Sequence, residues 1–113
     1  MEIAPNEVAV FPLMNKEELT KKAEEIYQQL LDEDIKAVYD KSGSIGKRYA
    51  REDEKGTPYS ITIDYETVED GENKDKVTIR DAVSKEQVRI SVEELPQTLY
   101  KLKKEKINFK DLK

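Results

Sequence analysis

The run Val8-Ala9-Val10-Phe11-Pro12-Leu13 is apolar without interruption. A strand with one wet face alternates polar and apolar residues, so an unbroken run of this length suits a strand covered on both sides. Pro12, which lacks an N–H for the ladder, marks where that strand stops. Covering two faces takes two further layers. The surrounding sequence must therefore supply helices that fold back over the strand from above and below.

It does so at once. Asn15 followed by Glu18 has capping-box spacing, and Leu19, Ala23, Ile26 and Leu30 repeat at helical intervals with Tyr27 and Leu31 beside them. Ile35 to Tyr39 reads as a second short strand. A second helix is expected from Ser44, with Ile45 and Tyr49 on one face and Gly56 ending it before Thr57-Pro58. Tyr59 to Tyr65 alternates as a strand. Asp70-Gly71-Glu72-Asn73 forms a turn, Lys76 to Arg80 a fourth strand and Gln87 to Ile90 a fifth. Ser91 with Glu94 offers another capping box, and Pro96 can reset the start of a last helix that runs to about residue 106.

The expected order is β-α-β-α-β-β-β-α, giving a three-layer α/β/α fold on a mixed five-stranded sheet. Helical crossovers make the first three strands parallel, and the short links after the third make the rest antiparallel. With one helix on each face, strand 1 lies between strands 2 and 3. The winding reverses there, and ligands of such sheets gather outside the carboxyl ends of the strands at that reversal. The loops concerned are Met14-Asn15 and Lys41 to Ser44. Residues 1–6 read as a linker stub, 7–106 as one domain and 107–113 as a basic tail.

Composition removes whole classes of chemistry. The 113 residues contain neither cysteine nor histidine, which excludes disulfides, thiolate metal sites and the commonest general base. The acidic turn from Glu69 to Asp75 lacks calcium-loop spacing, so no metal is assigned. No nucleophile stands beside a base, and catalytic residues are expected to be none. The apolar run is far too short to cross a membrane and no signal pattern precedes it, so no membrane partner and a cytoplasmic setting are expected.

A net charge of −5 argues against indiscriminate polyanion binding, so any such contact must be local. Two places qualify. Gly43-Ser44-Ile45-Gly46-Lys47 reads either as an ordinary capped helix start or as a phosphate cradle, followed by Lys47, Arg48 and Arg51. These cations alternate with Glu52, Asp53 and Glu54, so a solvated face with internal pairs is the competing reading. Lys101 to Lys113 holds six lysines against two acids, which suits a helix end complementing its dipole or an RNA contact.

Three blocks carry a resemblance: VAVFPLMNKEEL, YDKSGSIGKRYAREDEKGTPYSITIDYETVEDG and VTIRDAVSKEQVRISVEELP. Together they resemble the C-terminal anticodon-binding domain of the glycyl-tRNA synthetases of archaeal and eukaryotic type, from about Glu7 to Leu95. The resemblance implies a mixed five-stranded sheet with three helices and, as partner, the anticodon loop of glycine tRNA. It also implies that catalysis lies in a separate domain using ATP and Mg, with no cofactor in this one, and that the parent enzyme is a homodimer through other domains. An alternative use of the same fold is protein contact, as in the accessory subunit of mitochondrial DNA polymerase.

By the resemblance, Ser42, Glu66 and Arg80 would contact anticodon bases. Lys41, Gly43, Ser44, Lys47, Arg48 and Arg51 would contact the RNA backbone. Glycine codons begin with two guanines, so the anticodon offers two cytosines. A carboxylate can accept from the N4 amino group while a guanidinium donates to O2 or N3. The chain departs from the family pattern at Ala82-Val83, where Arg-Asp is usual, and in a lengthened turn from Glu69 to Lys76. These leave the register of Arg80 against Glu66 open.

Overall fold

The computed structural model describes residues 7–104 and 107–112. Its strands run β1 Val8–Pro12, β2 Ala37–Tyr39, β3 Tyr59–Ile63, β4 Lys76–Asp81 and β5 Gln87–Ser91, in the sheet order β2-β1-β3-β4-β5. β1 pairs parallel with β2 and β3, whereas β3, β4 and β5 pair antiparallel. The mixed sheet and the place of β1 between β2 and β3 are as the sequence implied. Val8, Ala9, Val10 and Phe11 have no exposed surface.

Helix α1, Glu17–Asp32, and helix α4, Leu95–Lys103, cover one face. Leu19, Ala23, Ile26 and Leu30 from the first, and Leu95, Leu99 and Leu102 from the second, form one cluster with Val8, Val10, Ile61, Ile63, Val77 and Ile79. Strand side chains alternate between faces, so Phe11, Thr62, Thr78, Arg80 and Arg89 belong to the opposite face. There helix α2, Ile45–Lys55, sets Tyr49 edge-on against Phe11 and in hydroxyl contact with Thr62.

The boundaries follow local chemistry. Ser44 caps α2 by accepting from the Lys47 N–H, and Gly56 ends it at φ +82°, a conformation costly for residues bearing a Cβ. Ser91 accepts from the Glu93 N–H to start a 3₁₀ turn, Val92–Glu94, and Pro96 sits in the first turn of α4, where a missing N–H costs nothing.

Three expectations need correction. Asn15 does not cap α1, because the helix begins at Glu17 with Lys16 in the cap position and no side-chain cap. Asn15 falls one residue too early. The third strand stops at Ile63 rather than Tyr65, since Asp64 and Thr67 form a reciprocal capping box that turns the chain into a short helix α3, Tyr65–Val68. The basic tail from residue 107 contains a 3₁₀ turn, Phe109–Leu112, and Phe109 is buried with its ring stacked on Tyr59 at 6.1 Å.

Candidate nucleic-acid interface

The carboxyl ends of β2, β1 and β3 lie side by side and form a rim made of Asp40 to Ser44, Leu13 to Asn15 and α3. Arg48 holds it together. The helix period turns this residue inward from α2, leaving it 2% exposed. Nη1 donates to the Pro12 carbonyl at 2.7 Å and to the Asp40 carbonyl at 3.2 Å, while Nη2 donates to Leu13 O at 3.4 Å. The guanidinium also lies against the Phe11 ring. Burial lowers the pKa of Arg48. The placement of Arg48 among RNA-backbone contacts is thus corrected: the side chain is buried, and its Nη groups donate to three carbonyls at the ends of two neighbouring strands.

The loop after β2 closes on itself. The Asp40 carboxylate accepts from the Ser42 N–H at 2.9 Å and from its hydroxyl at 2.8 Å, and pairs with Arg51 at 2.9 Å. Arg51 also donates to the Ser42 carbonyl at 2.8 Å. Burial works to raise the Asp40 pKa, but the Ser42 hydrogen bonds and the Arg51 charge outweigh it and hold the carboxyl below its usual value. Gly43, at φ +74°, supplies the left-handed turn the loop requires. Lys41, Ser42, Gly43, Ser44, Lys47 and Arg51 are exposed. First-turn amides of a helix lack intrahelical acceptors, so this end of α2 presents donors together with two lysines.

Across the rim, the Asp64-Thr67 box fixes α3 and so sets Glu66 at the surface, with its side chain 61% exposed. Asn73 donates to Glu66 Oε1 at 2.6 Å. The exposed Met14 sulfur is 3.8 Å from the Tyr65 hydroxyl, linking the β1 loop to α3. Beyond Glu66 the turn is acidic, with Glu69, Asp70 and Glu72 beside it in a shallow cleft.

Arg80 does not stand beside Glu66. β4 runs antiparallel to β3, so Arg80 is opposite Ser60, toward the other end of the sheet. Its guanidinium lies 4.4 Å over the Tyr49 ring and 3.5 Å from Asp53, an ion pair without hydrogen-bond alignment, and its side chain is 13% exposed. Asp53 also pairs with Lys85 at 2.7 Å. The guanidinium that does approach Glu66 comes from β5. Arg89 pairs with Asp64 at 2.7 Å, donates to the Lys76 carbonyl at 3.3 Å, and reaches to 4.0 Å from Glu66 Oε2. Burial would raise the Asp64 pKa, but the Arg89 hydrogen bond and charge, with help from Thr67, lower it. Arg89 was legible only through strand alternation: Val88 and Ile90 pack on the core, which puts the residue between them on the other face.

Known proteins bear on this arrangement. The family model described as "Anticodon binding domain" matches residues 7–102. The glycine–tRNA ligase of Pyrococcus horikoshii is 54% identical over 101 residues, covering 89% of this chain and 17% of that protein. The glycine–tRNA ligase of Borreliella burgdorferi is 47% identical over 109 residues, covering 96% of this chain and 23% of that protein. The chain thus spans about a sixth to a quarter of the length of these curated relatives. Among solved structures, prolyl-tRNA synthetase from Cryptosporidium parvum superposes with a TM-score of 0.79 at 22% identity, over 90% of this chain and 21% of that one. That likeness establishes the fold.

Proposed function

This chain belongs to the anticodon-binding domain family, in the form carried by glycyl-tRNA synthetases, and on that premise we propose that it binds the anticodon loop of glycine tRNA at the rim formed by the ends of β2, β1 and β3. The observation that carries the reading is the polarity of that rim. Lys41, Lys47 and the first turn of α2 stand at one side, and the exposed carboxylate of Glu66 stands at the other.

A phosphate backbone is drawn to the first and repelled by the second, where Glu69, Asp70 and Glu72 add to the negative charge. The strand of RNA must then run along the α2 side, with Gly43, Ser44 and Lys47 at its phosphates, and turn its bases toward Ser42 and Glu66. Glu66 accepts from the N4 amino group of cytosine, which the glycine anticodon offers twice. Arg51 joins the phosphate contacts only by leaving Asp40, and Arg80, held by Asp53 and Tyr49, is left out of the reading set. The relatives near half identity are glycine–tRNA ligases, which favours this reading over a protein-contact role. In the parent enzyme, a separate catalytic domain would use ATP and Mg to activate glycine, and the present domain would select the tRNA.

Chemical-shift mapping tests this. A stem-loop carrying the glycine anticodon, titrated into the isotopically labelled chain, is expected to move amides of residues 41–47 and 64–66. Perturbations confined to the face covered by α1 and α4 would refute it.

A further inference from the structure

Resting on that reading, we propose that Arg89 is a specificity-determining residue, forming with Glu66 the two-sided edge that recognises one anticodon cytosine. The two side chains come from separate elements and converge at 4.0 Å. Register creates the meeting. Arg89 is opposite Thr78 on β4, on the face away from the core, and its side chain extends along that face to the end of β3 where α3 begins.

The guanidinium is held without being used up. It has five N–H donors. Those turned inward meet Asp64 at 2.7 and 3.5 Å and the Lys76 carbonyl at 3.3 Å, and donor capacity remains on the outer side, where the side chain is 25% exposed. Asp64 in turn is fixed by its capping box with Thr67. The fork is therefore oriented before any ligand arrives, which spares the entropy of ordering a long side chain on binding.

The chemistry of the pair selects among bases. The pairing edge of cytosine reads donor, acceptor, acceptor. Glu66 meets the N4 amino group and Arg89 meets N3 and O2. Uracil would set its O4 against the carboxylate and its N3–H against the guanidinium, so both contacts turn repulsive. Adenine matches the amino group and one ring nitrogen but offers no third acceptor.

The test uses the 113-residue chain and three hairpins: one with the glycine anticodon, and two in which a single anticodon cytosine is replaced by uracil. Affinities are read from amide-shift titrations at one fixed salt concentration. The unaltered chain is expected to prefer the cytosine hairpin over one of the uracil hairpins by about tenfold, the value for one good base contact. Arg89→Gln and Arg89→Lys should lower that ratio to the share that Glu66 alone supplies, a drop of about threefold or more, while the amide spectrum stays native, because neither keeps the two-pronged donor. Arg80→Gln should leave the ratio unchanged. If the unaltered chain discriminates and both Arg89 variants do so undiminished, the assignment of Arg89 is overturned while anticodon binding stands. If the unaltered chain shows no preference at either position, both are overturned.

Discussion

The Arg48 guanidinium donates to the Pro12 carbonyl oxygen at 2.7 Å from inside the protein. A residue with the outward sign of an RNA ligand is therefore a clasp between the end of β1 and the loop after β2, which it reaches through the Asp40 carbonyl. The rim keeps its shape because a charge was buried to hold it.

Replacing Arg48 with Leu removes these charge-assisted hydrogen bonds and strands three carbonyls. A loss of about 2–4 kcal/mol is expected from hydrogen bonds of this type and from the space vacated. Urea denaturation measures it directly. A change below about 0.5 kcal/mol, the range of an ordinary surface substitution, would show that the clasp is dispensable.

The lowered pKa of Asp64 predicts a pH dependence. Its folded value lies below the ordinary 3.8, so its contribution is complete above the unfolded pKa and is lost as pH falls through the folded value. The stability difference between the natural chain and Asp64→Asn should stay constant from neutrality to about pH 5 and shrink below about pH 4. Asp40→Asn should behave alike, since Asp40 is shifted the same way. A difference that stays flat to pH 2 would contradict the ion-pair account.

Phe109 anchors the C-terminal segment against Tyr59. Phe109→Ala should cost about 3 kcal/mol, as for a buried ring truncated to a methyl group, lowering the melting temperature by more than 10 °C in a domain of this size. Melting at the unaltered temperature would restore the description of the segment as a tail.

RNA affinity should fall with salt only gently. With few exposed lysines at the α2 end, the slope of log affinity against log salt is expected near −2, and Lys47→Ala should reduce it by about 0.7, the value for one phosphate on a single strand. That variant should weaken every hairpin alike. A change in the preference among hairpins would make Lys47 a base reader.

Much of the fold was open to reading because its signals were local and redundant. The unbroken run at β1 demanded cover on both faces, Ser44 and Gly56 bracketed α2, and short links forced β3, β4 and β5 into antiparallel pairs. The candidate site was less open. Whether Arg48 points in or out depends on a difference of one helical step, and Lys47, its neighbour, is exposed. Which arginine meets Glu66 depends on strand direction and register across β3, β4 and β5, a non-local matter that the resemblance could not decide. The missed helix α3 had left a trace in Asp64 and Thr67, whose spacing is that of a cap. Asn15 carried a similar trace and proved misleading, because a cap motif marks where a helix is able to begin and the turn at Met14 to Lys16 decides where it does.

The antiparallel pairing of β4 and β5 makes the register of β5 sensitive in evolution. Adding or deleting one residue within β5 would turn Arg89 into the oily interior and bring Val88 or Ile90 out in its stead. Composition, charge and length would hardly differ, yet Arg89 would no longer reach Asp64 and Glu66. Gains and losses of single codons should therefore be rarer in that strand than among the exposed residues 69–72 of the acidic turn after α3.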